Sequence, residues 1–160
     1  RQHFEESGFT PAMATTAVST IAGMGIFSKL AFGRASEKIT ARIATILSIG
    51  LQMVGVLIIA QVDASHLLWI GIFVFGLGFG GLGALALLVV QEMFGMKEFG
   101  GIMGIMQVGM IASGTGAPMM AGAIHDSSGS FDTAFLIVAA IFVVGIAALA
   151  LARPIETETM

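Results

Sequence analysis

Residues 67–90 read LLWIGIFVFGLGFGGLGALALLVV, a run of 24 positions without one charged side chain. At about 1.5 Å of rise per residue, a helix of that length crosses the roughly 30 Å hydrocarbon core of a bilayer. Backbone polar groups in lipid must be paired within their own segment or around a closed barrel. The run has no apolar–polar alternation of the barrel kind, so it predicts a membrane helix. Outward from it, comparable stretches occupy 11–31, 43–62, 100–124 and 133–152. The spacing therefore predicts an all-α integral membrane protein with five transmembrane helices. Thr10 with Pro11, Ser65 and Asp132 suit helix starts. Lys29 is the one charge inside these limits, near enough to its span's end to snorkel.

Composition points the same way. The chain has 160 residues, 56% of them hydrophobic and 11% charged, against about 25% charged in ordinary soluble domains. Mean hydropathy is +0.97. A net charge of −3 argues against a nucleic-acid partner. With no cysteine, disulfides and thiolate metal sites are excluded. The polar opening, RQHFEESGFT, lacks the basic and apolar regions of a secretory signal. A start at Arg1 reads as a truncated front, and ARPIETETM as a solvated terminus.

The connections at 33–42, 63–66, 91–99 and 125–132 leave no room for a soluble domain, and DSSGS marks a turn. Alternating sides along the five spans puts Lys29, Arg34, Lys38, Arg42, Lys97 and Arg153 on one side and Arg1 alone on the other. The positive-inside rule then places segment 33–42 in the cytoplasm, the amino end outside and the carboxyl end inside.

That segment, GRASEKITAR, resembles the cytoplasmic loop signature of the major facilitator superfamily. Gly33, Ser36, Glu37, Lys38, Ile39 and Arg42 fit the pattern, with conservative exchanges at 37 and 38; Thr40 and Ala41 depart from it. Residues 94–135 resemble the region from loop 10–11 to loop 11–12, through Phe99, Gly100, Gly104, Gly116, Pro118, Gly122, Asp126, Gly129 and Phe135. ESGFTPAMA, residues 6–14, is similar to the outer loop before helix 8 in the monocarboxylate and oxalate–formate antiporter branch. The resemblance implies helices 8 to 12 of a twelve-helix transporter, most of one six-helix half. An amino-terminal half would complete it. It further implies alternating-access transport of a small solute, an organic anion such as a monocarboxylate, across a bacterial inner membrane. The mode would be antiport, symport or facilitated diffusion, with the lipid bilayer and the solute as partners and no cofactor. The family's loop carries an ion pair that latches the two halves, which implies Glu37 as acidic member with Arg34, Lys38 or Arg42; the alternative is that these charges only fix topology.

Thr16, Ser19 and Thr20 share one face of the first span, at i, i+3 and i+4. With Gln107 and Ser113 in the fourth, they are the candidate cavity lining, since the family sets helices 8 and 11 against its cavity. The alternative for each is a hydrogen bond between helices or back to its own helix. Pro118, after Gly114 and Gly116, predicts a bend that frees carbonyls near Gly114, either widening the outer cavity or standing as a static kink. Gly76 and Gly80 predict close helix packing, with a transport hinge as the alternative. GFGGLG has loose phosphate-loop spacing, but no strand precedes it. His3, His66 and His125 show no ligand spacing, so no metal site is expected; His125–Asp126 reads as an interfacial pair. A non-transport assembly subunit or receptor-like membrane protein is the other reading. A membrane enzyme ranks below both, for want of a nucleophile–base pair.

Overall fold

A computed structural model describes residues 11–60, 65–129 and 131–152. Five α-helices make up the regular structure there: α1 (Pro11–Lys38), α2 (Ala41–Ala60), α3 (Ser65–Phe94), α4 (Phe99–Ser128) and α5 (Asp132–Leu151). Four contain a stretch long and apolar enough to cross a membrane, namely α1, α2, α3 and α5. Helix α4 has the length, at 30 residues, but seven glycines together with Gln107, Ser113, Thr115 and Pro118 dilute its apolar character.

The segment read as a connection at 33–42 is helical as far as Lys38. Ala35, Glu37 and Lys38 favour helix, and the Ser36 hydroxyl donates to the Gly33 carbonyl at 2.6 Å. Thr40 opens the next helix: its carbonyl accepts the Ala44 N–H at 3.0 Å and its hydroxyl the Ile43 N–H at 3.3 Å. The first is the opening intrahelical bond of α2, and the second satisfies a donor that a helix start leaves without a partner. At α5 the expected cap is displaced by one residue. Phe131 holds the cap position with no side-chain cap bond, and Asp132, whose side chain lies outside the description, is the first helical residue. Thr10 and the side chain of Ser65 lie outside the description. Gly129 ends α4 in the left-handed region at φ 71°, its N–H bonded to the His125 carbonyl at 2.8 Å.

Helix α3 is the hub. It packs along α1 on one side and α2 on another, and α5 packs on α2. Helix α4 has limited contact with its chain neighbours α3 and α5, none with α1 or α2, and no buried residue. The buried apolar side chains accordingly belong mostly to α2 and α3: Ala44, Val56, Ile72, Leu85, Val90 and Met93 among them. Where α1 meets α3 the backbones nearly touch. A methyl group added at Gly80 would sit 2.2 Å from the Gly25 Cα, and one at Gly76 would sit 3.2 Å from the Ile21 Cα. The Gly76–Gly80 pair is therefore a packing face. Gly83, one turn on, has open space around it.

Gly80→Ala should lower stability by about 1–3 kcal/mol through overpacking against backbone. Gly83→Ala should be neutral or mildly stabilising. Thermal unfolding of both variants in detergent micelles checks the contrast.

Candidate functional site

One end of the bundle is formed by the α1–α2 turn, the α3–α4 turn and the last residues of α5, and it holds most of the charge. Arg34, Glu37 and Lys38 are exposed on the last turns of α1. No ion pair joins Glu37 to Arg34, Lys38 or Arg42 among the described residues; the pair present there, His125–Asp126, lies at the other end. Arg42 points elsewhere. Its guanidinium donates from Nη2 to the Ala150 carbonyl in the last turn of α5, a carbonyl at the negative end of that helix.

Glu92, in the last turn of α3, does the reciprocal job. Its Oε2 accepts the Ala41 N–H at 2.6 Å, a charge-assisted bond to the first residue of α2. Helix α2 is thus held at its positive end by a carboxylate of α3, and it holds the negative end of α5 with its own arginine. Between α1 and α3 at this end lies a cavity of about 400 Å³ lined by Ser36, Glu37, Ala41, Leu88, Gln91 and Glu92. Glu37 lines it together with a second carboxylate, which disfavours drawing both groups closer without a cation between them.

Deeper in the bundle, the sequence candidates fall on two separate helices. Thr16 donates to the Ala12 carbonyl at 2.9 Å, Ser19 to Thr15 at 2.9 Å and Thr20 to Thr16 at 2.8 Å. Ser113 donates to the Met110 carbonyl at 3.0 Å. Each bonds its own helix, leaving the hydroxyl's lone pairs for another donor. Thr16, Ser19, Gln107 and Ser113 are exposed. Since α1 and α4 do not touch, the chain does not bring the two groups together. Helix α4 runs unbroken through Pro118. Pro118 has no N–H for the Gly114 carbonyl, and the space beside Gly114 and Gly116 is open. At the far end, the His125 ring stacks on Phe131 with centroids 4.3 Å apart and planes at 25°, and its Nδ1 lies 3.9 Å from Asp126 Oδ1.

A family model described as Major Facilitator Superfamily matches residues 3–159. The chain belongs to the major facilitator superfamily. It is an integral membrane protein of a family that moves small solutes across bilayers, whose members are transporters and not enzymes. No curated protein and no solved structure matches the chain.

Within this superfamily chain, Arg42 is the one side chain of those the sequence singled out that joins two helices among the described residues; the deeper joining bonds come from serines it did not single out. Ser28 donates to the Leu77 carbonyl and Ser48 to the Gly78 carbonyl, the latter at 2.7 Å, and both serines are fully buried. Gln52, 2% exposed, donates instead within α2, to the Ser48 carbonyl four residues back at 3.3 Å. Nothing local distinguishes Ser28 from Ser19; only the neighbouring helix does. Glu92 did carry a signal. A carboxylate in the last turn opposes its own helix dipole, and so answers to a different helix.

Glu92→Ala should destabilise the protein by about 1–2 kcal/mol by stranding a part-buried N–H. Glu92→Gln, which keeps an acceptor oxygen, should lose less. Unfolding midpoints of the two variants, compared in the same detergent, test the order.

Proposed function

We propose that this chain supplies helices 8 to 12 of a twelve-helix transporter and carries a small organic anion, such as a monocarboxylate, by alternating access against an amino-terminal half. Membership of a transporter family supports transport over an assembly-subunit or receptor role. The observation that carries the reading is α4. It is 30 residues long, has no buried residue, and carries Gln107, Ser113 and Thr115 among seven glycines. A helix of that kind suits a solute pathway between two halves. By contrast α5, the most apolar of the spans, suits lipid.

On this reading Thr16, Ser19 and Thr20 of α1 and Gln107 and Ser113 of α4 line the cavity from two sides. Their hydroxyl and amide groups donate hydrogen bonds to a carboxylate. The balancing positive charge comes from the amino-terminal half or a coupled cation, because no ionisable side chain sits in the middle of these spans. Pro118, with Gly114 and Gly116, gives α4 the bend that widens the outer cavity. The charged end is cytoplasmic by the positive-inside rule, in a bacterial inner membrane, with the amino end outside and the carboxyl end inside. Arg34, Glu37 and Lys38 then form the latch toward the other half, seated on an α1–α2 turn that Arg42 ties to α5. Contacts made in one access state alone bias the two-state equilibrium.

The full-length polypeptide in proteoliposomes should exchange labelled monocarboxylates. Gln107→Ala and Ser113→Ala should each raise KM about tenfold, the equivalent of one lost hydrogen bond of ~1.4 kcal/mol. Absence of exchange or uptake with any monocarboxylate sinks the substrate assignment. Glu37→Ala should shift the inward-to-outward ratio read by cysteine crosslinking without changing insertion.

A further inference from the structure

The buried serines do more than satisfy themselves. Leu77 and Gly78 are consecutive residues on α3, so their carbonyls point about 100° apart around the helix. One faces Ser28 of α1 and the other Ser48 of α2. Each carbonyl has a second lone pair beyond its intrahelical bond, so accepting the hydroxyl leaves the helix intact. The two bonds sit at one level of α3, on either side of it. Sliding α3 past its neighbours by a single residue, about 1.5 Å, carries both carbonyls away from their donors. Steric contact adds to the lock: a methyl group at Gly78 would meet the Ser48 carbonyl oxygen at 2.6 Å.

The two hydroxyls in the middle of α4 act differently. Ser113 and Thr115 bond carbonyls of α4 itself, and the helix is flanked by Gly95 and Gly129 with φ of 72° and 71°. Glycines at such junctions take up backbone rotation at low cost.

We propose that Ser28 and Ser48 form a two-sided clamp on α3 that makes α1, α2 and α3 one moving body, with α5 carried along through Arg42, while α4 changes position between its two glycine pivots. The division rests on the alternating-access reading for its role in transport, but the clamp itself is testable without it.

The experiment uses the full-length protein in nanodiscs, with spin-label pairs at exposed positions: Leu30 with Leu87 for α1–α3, Leu47 with Phe79 for α2–α3, and Leu87 with Val108 for α3–α4. Distances are measured with and without saturating monocarboxylate. The first two pairs should give single narrow distributions that are the same in both conditions, while the third shifts. Ser28→Ala should broaden or displace only the α1–α3 distance, and Ser48→Ala only the α2–α3 distance, by about 2 Å, the scale of helix shifts between packed states. A gentler pair, Ser28→Cys and Ser48→Cys, keeps the volume and weakens the donor, and should give the same selectivity at smaller amplitude. State-dependent α1–α3 or α2–α3 distances in the unsubstituted protein overturn the clamp, as do serine variants with unchanged distributions. If no pair responds to monocarboxylate while the serine variants show their selective effects, the clamp stands and the monocarboxylate assignment fails.

Discussion

In hydrocarbon, apolar side chains gain nothing by leaving lipid for one another, so helices associate through close backbone approach and directed polar contacts. The junction of α3 with α1 and α2 uses both. Gly25 and Gly80 bring two backbones almost into contact, and at that depth Ser28 and Ser48 present their hydroxyls to main-chain oxygens. Among the described residues no buried side-chain nitrogen or oxygen is left without a partner. In a medium without water that condition is a requirement, since each orphaned group costs several kcal/mol. The three-helix block is therefore polar where it must be and small where it must be close.

The charged end follows a second rule, set by helix termini. A helix leaves four N–H groups at its start and four carbonyls at its finish. Here neighbours supply several of the missing partners. Thr40 and Glu92 serve the start of α2, Arg42 serves the finish of α5, and Gly129 closes α4 through its own N–H. The signs agree with the helix dipoles: carboxylate at a positive end, guanidinium at a negative one. Two of the residues concerned, Arg42 and Glu92, lie on α2 and α3, so the same side chains that settle the termini also fasten α3 to α2 and α2 to α5.

What the sequence made legible was whatever depends on solvent alone. The five helices, the central role of the glycine pair at 76 and 80 and the turn at Gly129 all follow from local composition and from the cost of backbone in lipid. The family was legible from GRASEKITAR together with residues 94–135, and the match over 3–159 agrees with it. Less visible was which carbonyl a given hydroxyl would choose. Ser19 and Ser28 lie on the same helix with the same options, yet one bonds Thr15 and the other Leu77. Burial against α3 decides between them, and burial is a property of the assembled fold. The extent of α1 differs from its apolar span for a related reason. The first charges mark only the end of the apolar stretch, and the helix continues two turns into the polar zone to Lys38.

The weak hydropathy of α4 has a consequence for biogenesis. A segment interrupted by seven glycines, a glutamine and a proline partitions poorly from an aqueous channel into lipid by itself. It is flanked in the chain by α3 and α5, both apolar enough to enter unaided, through short turns that keep the three adjacent. Synthesis would thus deliver α4 to the bilayer alongside α3, with α5 following at once to shield it, and the order of helices along the gene becomes part of how a glycine-rich helix gets there.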